Sequence, residues 1–593
     1  MTSTVKDAVP TQLFFQWLDY LMFALMLAVS ALIGVYFGCF GSRQKTTSEY
    51  LMGGKKMKIL PVAVSLVASH ISAITLLGLP SEVYTYGTQY TAMAFCCVIT
   101  GGLITWLYLP VFYTLQLTSV YEYLEIRFSR SVRSVASLIF LLSLILYVPI
   151  VVYLPALAFS QVSGMSLHAV TPIVSCVCIF YTMLGGLKAV VWTDFVQQVV
   201  MVAATIIVII IGLIDIGGFS NMWRINAEGH RLEFFNMDPD PFARATFLTI
   251  TIGISFSWLA QMGVNQAMCQ RLLSVPTMNA ARWTMFLYTV GMIICKLLSI
   301  LTGMLIYAHF HDCDPALTGI ISRQDQLLPY YVMKIAAYIP GLPGLFVAGV
   351  FSAALSTMST CLNTVSGTVY EDFLSRCMSP RTREKRAGLI MRIIVLVVGV
   401  VCVLMVFVIE KFGGAMQMAI SLNSITFGAL LGLFSLGMFC PWANTKGALA
   451  GGLASLLTMG ALVTGAQIAV TTGKLVHPKK PVSLEGCPHL AMNITDLLTQ
   501  PTNTTASEPD EYVFVLFRIS FMYFIVIGFF TAMVVGVVVS FLTGPQDPKT
   551  LDRDLITPSL HRWLPYESSL AHKEKKTVQP LILSKDTKNG IKK

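Results

Sequence analysis

The sequence predicts an all-α polytopic membrane protein with about thirteen spanning helices, and three observations predict it. Of its 593 residues, 55% are hydrophobic and only 12% charged, about half the charged share of a water-soluble domain, and mean hydropathy is +0.71. Predominantly apolar runs long enough to cross a bilayer fall at 16–38, 59–79, 89–113, 134–162, 169–187, 190–215, 243–266, 284–309, 341–367, 388–411, 416–441, 447–470 and 512–542. Lys and Arg gather in the loops between alternate pairs of these runs and in the C-terminal tail. The net charge of +10 therefore reads as topology rather than as a nucleic-acid surface, and the lipid bilayer is the expected partner.

An odd number of spans puts the two ends on opposite faces. Loops 41–58 (Arg43, Lys45, Lys55, Lys56, Lys58), 114–133 (Arg127, Arg130, Arg133) and 368–387 (Arg376, Arg381, Arg383, Lys385, Arg386) share one face with the tail after 543. That face holds 27 of the 40 Lys and Arg, against about 10 on the other, so it is expected to be cytoplasmic. The N-terminus is then extracellular and the C-terminus cytoplasmic, in a cell membrane. The first run starts near Trp17 without a basic segment before it and is too long for a cleavable signal. Two sequons, at Asn493 and Asn503, lie in the polar outer loop 471–511, which marks both asparagines as glycosylation candidates. Thirteen cysteines lie mostly in apolar segments and read as small buried hydrophobes. Cys313 and Cys487 fall in outer loops where a disulfide is permitted, and their pairing stays open.

Two spans are interrupted by small and hydroxylated residues: Ser65-Leu66-Val67-Ala68-Ser69-His70-Ile71-Ser72-Ala73-Ile74-Thr75, leading to Gly78 and Pro80, and Phe351 to Thr364 with Ser352, Ser356, Thr357, Ser359 and Thr360. Close helix packing explains either segment alone. A broken helix whose carbonyls and hydroxyls coordinate a hard cation explains both, and the lack of carboxylates in them favours Na⁺ over a divalent ion. The segments lie in spans two and nine. A five-helix unit starting at span two gives a repeat at 59–215 and a second, inverted one at 243–441. Residues 1–58 then carry the N-terminus, first span and a basic loop, 216–242 an outer loop, 442–542 two further spans with loop 471–511, and 543–593 the tail.

Three stretches carry a resemblance: Tyr123-Leu124-Glu125-Ile126-Arg127-Phe128, Gly185-Gly186-Leu187-Lys188-Ala189-Val190-Val191-Trp192-Thr193-Asp194, and Asn265-Gln266 with Gln270-Arg271. From about residue 15 to 545 the chain resembles the sodium/solute symporter family, whose fold is a LeuT-type 5+5 inverted-repeat bundle. Pro80-Ser81-Glu82, Asp312-Cys313-Asp314-Pro315 and Leu355-Ser356-Thr357 are similar to the multivitamin, monocarboxylate and iodide branch. The resemblance implies a sodium site on the carbonyls of Ala68 and Ile71 with Ala353, Ser356 and Thr357. It implies a second sodium site near Ser69, Ser72 and Tyr153, and substrate contacts at Thr75, Trp258, Ala419 and Ile420. Asp194 would lie on the inward ion path, or else anchor a helix end.

His70 reads as a packed core histidine or as a titrating site group. Arg271 and Glu122 are expected to organise inner loops, and Lys296 and Arg518 to snorkel or pair. The expected function is sodium-coupled import of a small organic anion, a monocarboxylate or a vitamin such as pantothenate or biotin. Iodide, choline or a sugar on the same scaffold is the alternative, as is a non-transporting sodium sensor or a channel. Enzyme signatures such as G-x-S-x-G and HExxH are absent from the sequence.

Overall fold

A span that crosses the bilayer unbroken satisfies its own backbone; one that breaks inside must find partners in the protein. The fold is organised around two such breaks. The computed structural model describes residues 15–40, 55–117, 119–321, 323–336, 338–410, 415–487 and 513–564, the side chains of 376, 380–385 and 415–422 excepted. Among the described residues there is helix and no strand.

Helix α1 (Trp17–Val35) lies along the bundle. The first bent pair is α2 (Ile59–His70) and α3 (Leu79–Tyr86), joined through Ile71–Ser72 and a π turn, with 59° between the halves. Next come α4 (Met93–Leu103), α5 (Leu109–Leu115), the short α6 (Val120–Arg127) and α7 (Arg130–Ser163). Helix α8 (Leu167–Ile216) runs for 50 residues but is kinked at Gly186, whose φ of 53° is open to glycine. Helix α9 (Phe219–Glu228) caps the loop that follows. The second bent pair is α10 (Phe247–Trp258) with its π turn Leu259–Gly263, and α11 (Gln266–Leu272), at 62°. Here the chain restarts because Asn265 Oδ1 accepts from Ala267 N at 2.8 Å, an N-cap for α11. Then follow α12 (Met278–Phe310), α13 (Leu327–Ala336), α14 (Leu342–Val369), α15 (Pro380–Ile409), α16 (Ala415–Phe439), α17 (Thr445–Thr471) and α18 (Phe524–Leu542).

Among the described residues nine helices are long and apolar enough to cross a membrane, and the two bent pairs bring the number to eleven. The expected thirteen spans correspond to dividing α8 at Gly186 and counting α16. Helix α14 is the most enclosed, its apolar stretch 94% buried; α2, α7 and α8 surround it.

Charges inside the bundle have local structural causes. Asp19 in α1 is buried because Oδ2 takes Gln16 N (2.8 Å) and Oδ1 takes Gly344 N (2.9 Å), capping α1 and the start of α14 together. Arg127, in the motif at 123–128, donates to the carbonyls of Gly437, Cys440, Pro441 and Ala443, closing the open end of α16. Its Nη1 and the Tyr123 hydroxyl also hold residues beyond α18, through Gln546 Oε1 (2.6 Å) and Leu555 O (3.0 Å). On the opposite face the segment after α17 is strapped down by the Cys313–Cys487 disulfide and by Lys480 N to Thr85 O (3.0 Å) at the end of α3. We call these the basic face and the disulfide face.

Helix α1 meets α14 so closely that a Cβ on Gly344 would lie 2.3 Å from Asp19 Cα. Gly344→Ala should cost ~1–3 kcal/mol through overpacking and lower the melting temperature of the detergent-purified protein. Gly102→Ala, where a Cβ meets nothing within 4 Å, should not lower it; equal effects would contradict the packing.

Candidate substrate and ion site

The break between α2 and α3 opens onto a cavity of about 110 Å³. Thr75 and Trp258, both expected to contact substrate, line it with His70, Ser72, Gln261 and Lys296, and Asn423 and Ser424 of α16 complete the wall. Lys296 is buried, 5% exposed. Its Nζ lies 3.4 Å from Thr75 Oγ1 and 5.4 Å from the Trp258 ring centroid, and among the described residues it forms no ion pair. The His70 ring meets Trp258 and Tyr288 edge-on at 5.9 and 6.2 Å. His70 therefore forms part of the cavity wall.

Toward the basic face a second cavity of about 50 Å³ contains Ser69, Thr357, Thr360 and Thr364. The two cavities share His70, Tyr147, Gln261 and Asn423, so these four side chains are the partition between them.

Behind the second cavity, α2, α8, α11 and α14 meet at Asp194. Its Oδ2 accepts from Ser65 Oγ (2.7 Å), Ser69 Oγ (3.3 Å) and Arg271 Nη2 (2.9 Å). Ser69 Oγ is 2.9 Å from Thr360 Oγ1, which Arg271 also reaches. Thr357 Oγ1 lies 3.3 Å from Ser69 O, one of the carbonyls freed by the break, and 3.0 Å from Ala353 O. Asp194 Oδ1 and Ser356 Oγ are buried close to each other and make no hydrogen bond to any further group among the described residues. Oxygen donors with lone pairs to spare suit a hard monovalent cation.

Of the residues implicated by sequence, Ala68, Ser69, Ile71 and Ser72 stand at the break, and Ala353, Ser356 and Thr357 face it from α14. Tyr153 departs from expectation: its hydroxyl accepts from Arg323 Nη1 at 2.6 Å, toward the disulfide face. The tyrosine that lines the cavity with Ser72 is Tyr147, one and a half turns earlier on α7. Ala419 and Ile420 lie on α16 with side chains outside those described, and Asn493 and Asn503 lie outside the described residues. Arg271, expected at an inner loop, is instead fully buried on Asp194. Lys296, expected to snorkel or pair, instead lines the central cavity. A lysine inside the run 284–309 was a usable signal, since intramembrane ionisable groups mark function by default.

A third chamber of about 450 Å³ opens on the disulfide face, lined by Tyr86, Gln89, Glu233, Asp240, Arg244, His477, Lys480 and Arg518. Arg244 forks onto Glu82 of α3, its guanidinium 3.9 Å from the Tyr86 ring centroid and 5.3 Å from that of Phe521. Lys480 pairs with Glu233. In the loop before α13, burial pushes the Asp325 carboxyl up to about 6; Arg323 opposes the shift and Glu82 adds to it.

A cavity with polar groups at a helix break, beside a cluster of buried oxygen atoms and below an outer chamber, matches the arrangement of a secondary transporter that works by alternating access. The sequence profile described as "Sodium:solute symporter family" matches residues 50–455, and the chain belongs to that family. It is 39% identical to "Sodium-coupled monocarboxylate transporter 2" of Mus musculus over 92% of this chain and 87% of the relative. It is 37% identical to "Sodium-coupled monocarboxylate transporter 1" of Homo sapiens over 91% and 89%. It is also 38% identical to a "Putative sodium-dependent multivitamin transporter" of Drosophila melanogaster over 88% and 86%. The fold is similar to that of a Na⁺-coupled sialic acid symporter in a substrate-bound outward-open state, with TM-score 0.73 and 24% identity over 90% of this chain and 99% of the other. The fold class expected from sequence, a LeuT-type helical bundle, is the one found. The protein is a multi-pass, sodium-coupled symporter of small organic solutes.

Two measurements check this geometry. Removing one partner of the buried pair strands the other, so Asp194→Asn and Arg271→Gln should each destabilise by ~3–5 kcal/mol. The double variant should cost clearly less than their sum; additive losses in a double-mutant cycle would mean that the two groups do not interact. A carboxyl whose pKa is raised on folding contributes stability at low pH that is lost as pH rises through about 6. Asp325→Asn should therefore flatten the melting temperature against pH between about 4 and 6 and raise it at pH 7.5. Parallel curves for the two proteins would refute the assignment.

Proposed function

We propose that this symporter imports a small monocarboxylate together with Na⁺, from the disulfide face to the basic face of a cell membrane. The observation that carries the anion is Lys296. An ammonium buried without a carboxylate is expensive, and here it borders the cavity in which the solute would sit. A bound carboxylate supplies the missing partner. Thr75 then fixes Lys296, and Trp258 and His70 give the carbon skeleton an apolar and aromatic surround. A cavity of about 110 Å³ is well below the ~300–1,000 Å³ of sites for drug-sized ligands, which favours a short acid over biotin or pantothenate. The monocarboxylate names of two of the three relatives support this choice, and the multivitamin name of the third does not.

In this reading one Na⁺ is held by the carbonyls of Ala68 and Ile71 with Ala353, Ser356 and Thr357. A second is held near Ser69 and Ser72, with Tyr147 rather than Tyr153 closest to them. Asp194 and Arg271 lie on the path by which the ions leave. The voltage decides why two are needed: each inward Na⁺ gains ~2.3 kcal/mol per 100 mV, and a monovalent anion loses the same. One Na⁺ per carboxylate makes the cycle blind to the membrane potential; two make it electrogenic. The repeats at 59–215 and 243–441 supply the halves that rock about this site. The disulfide joining Cys313 to Cys487 agrees with an extracellular disulfide face, a cytoplasmic tail and an extracellular N-terminus.

Proteoliposomes given labelled lactate test the reading. Uptake should saturate, require a Na⁺ gradient and carry inward current. Lys296→Gln should raise KM at least ~10-fold with half-saturating Na⁺, measured at saturating lactate, nearly unchanged, while Ser356→Ala and Thr357→Ala should raise half-saturating Na⁺ by ~10-fold. Uptake indifferent to Na⁺ replacement would sink the coupling, and an unchanged KM in Lys296→Gln would sink the anion site.

A further inference from the structure

The outer chamber and the central cavity are separated by a thin septum, and the group in the septum is a cation. Arg244 lines the outer chamber, and Phe521, beneath its guanidinium, lines the central cavity. Tyr86, on the other side of the guanidinium, belongs to the outer chamber, and Tyr90, one turn further along the chain, belongs to the central cavity. A solute passing between the two chambers must move past Arg244.

Three features distinguish this arginine from a structural staple. Its fork with Glu82 uses the two terminal nitrogens, while Nε is buried with no hydrogen-bond partner among the described residues. On the cavity side the Tyr90 hydroxyl is buried next to the same guanidinium. The guanidinium thus keeps a donor beyond those given to Glu82, which a carboxylate passing through would satisfy. Second, the Arg244–Glu82 pair joins α3, the outer half of the first bent pair, to the residues immediately before α10 of the second. Third, Arg518 lines the same chamber, lies 5.4 Å from the Phe242 ring centroid and has no carboxylate partner among the described residues. It adds positive potential at the mouth.

We propose that the outer chamber contains a second carboxylate-binding site centred on Arg244, where the incoming monocarboxylate exchanges with Glu82 for the guanidinium. The exchange frees α3 from α10 and opens the way to Lys296. When the solute moves on, Glu82 recaptures Arg244 and the septum closes behind it. No covalent bond is made or broken; one carboxylate replaces another on a fixed cation, so the cost of an unpaired Arg⁺ is never met, and the displaced Glu82 takes up water or a proton from the outer side until it recaptures Arg244. This rests on the monocarboxylate reading of the central cavity and adds to it a station that comes earlier in the path.

The exchange makes Glu82 a competitor of the substrate, and a staple makes it a collaborator, so the two variants separate the ideas. In the proteoliposome assay Arg244→Gln should raise KM for lactate ~10-fold, Arg244→Lys should restore part of it, and Glu82→Gln should lower KM several-fold. Half-saturating Na⁺ should stay within twofold in all three. If Glu82→Gln and Arg244→Gln raise KM together, or if correctly inserted Arg244→Gln keeps the parental KM, the proposal is wrong. Should Arg244→Gln fail to insert, the sign of the Glu82→Gln shift still decides it. Absence of Na⁺-dependent lactate uptake in the parent protein would instead overturn the reading beneath it, whatever the variants do.

Discussion

A helix that stops in the middle of a bilayer leaves carbonyls that no water can take, and the chain must supply what they need. In this protein the need arises at Ile71–Ser72, and the helices around the break carry the answer. Thr357 hydrogen-bonds Ser69 O, Ser69 and Ser65 hydrogen-bond Asp194, and Arg271 closes the cluster from α11. The enclosed helix α14 is rich in Ser and Thr because it faces these groups, and it is buried because the cluster must be kept from lipid. The same requirement fixes the second break, where Asn265 restarts the chain by capping α11. Both breaks face the same pair of cavities, so the cost of interrupting two helices is met in one place.

Among the described residues the buried charges named here follow one rule, and Lys296 departs from it. Asp19 caps two helix starts, Arg127 closes a helix end, Arg133 lies on Asp372, and Arg231 lies over the Tyr307 ring and donates to carbonyls. Each is a structural charge whose partner is part of the fold. Lys296 has only the Thr75 hydroxyl and an aromatic face. In a bundle that otherwise balances its charges locally, an unbalanced cation in a cavity wall is best explained by a partner that comes and goes.

Much of this was legible in the sequence, for a physical reason: membrane spans and hydroxylated breaks are local features. The segments at 65–75 and 351–364 announced themselves by composition, and the structure sets them face to face. What could not be read depended on rotation about helix axes and on long-range contact. Tyr153 and Tyr147 lie on the same helix α7, and only its orientation shows that Tyr147 is turned to the cavity while Tyr153 is turned to Arg323. Arg271 looked like a loop anchor because it follows a span by a few residues, but the 62° bend carries α11 back into the bundle. Lys296 in an apolar run could equally have snorkelled to the interface; the packing of α12 sets it instead in the cavity wall beside Thr75.

The partition between the two inner cavities gives the coupling a physical form. His70, Tyr147, Gln261 and Asn423 each contribute a wall to both, and they come from α2, α7, the bend after α10, and α16. A solute that settles against these side chains on one face also sets the shape of the chamber with Ser69, Thr357 and Thr360 on the other. Ser69 and Thr357, two of the proposed sodium ligands, stand there. An ion drawing the carbonyls at the break toward α14 would shift His70, the last residue of α2, and with it the wall of the central cavity. Each site would then bind better when the other is filled, because both draw on the same few side chains in one arrangement. Symport requires this linkage, and here it needs no long pathway: the two cavities proposed to hold ion and solute share one layer of side chains.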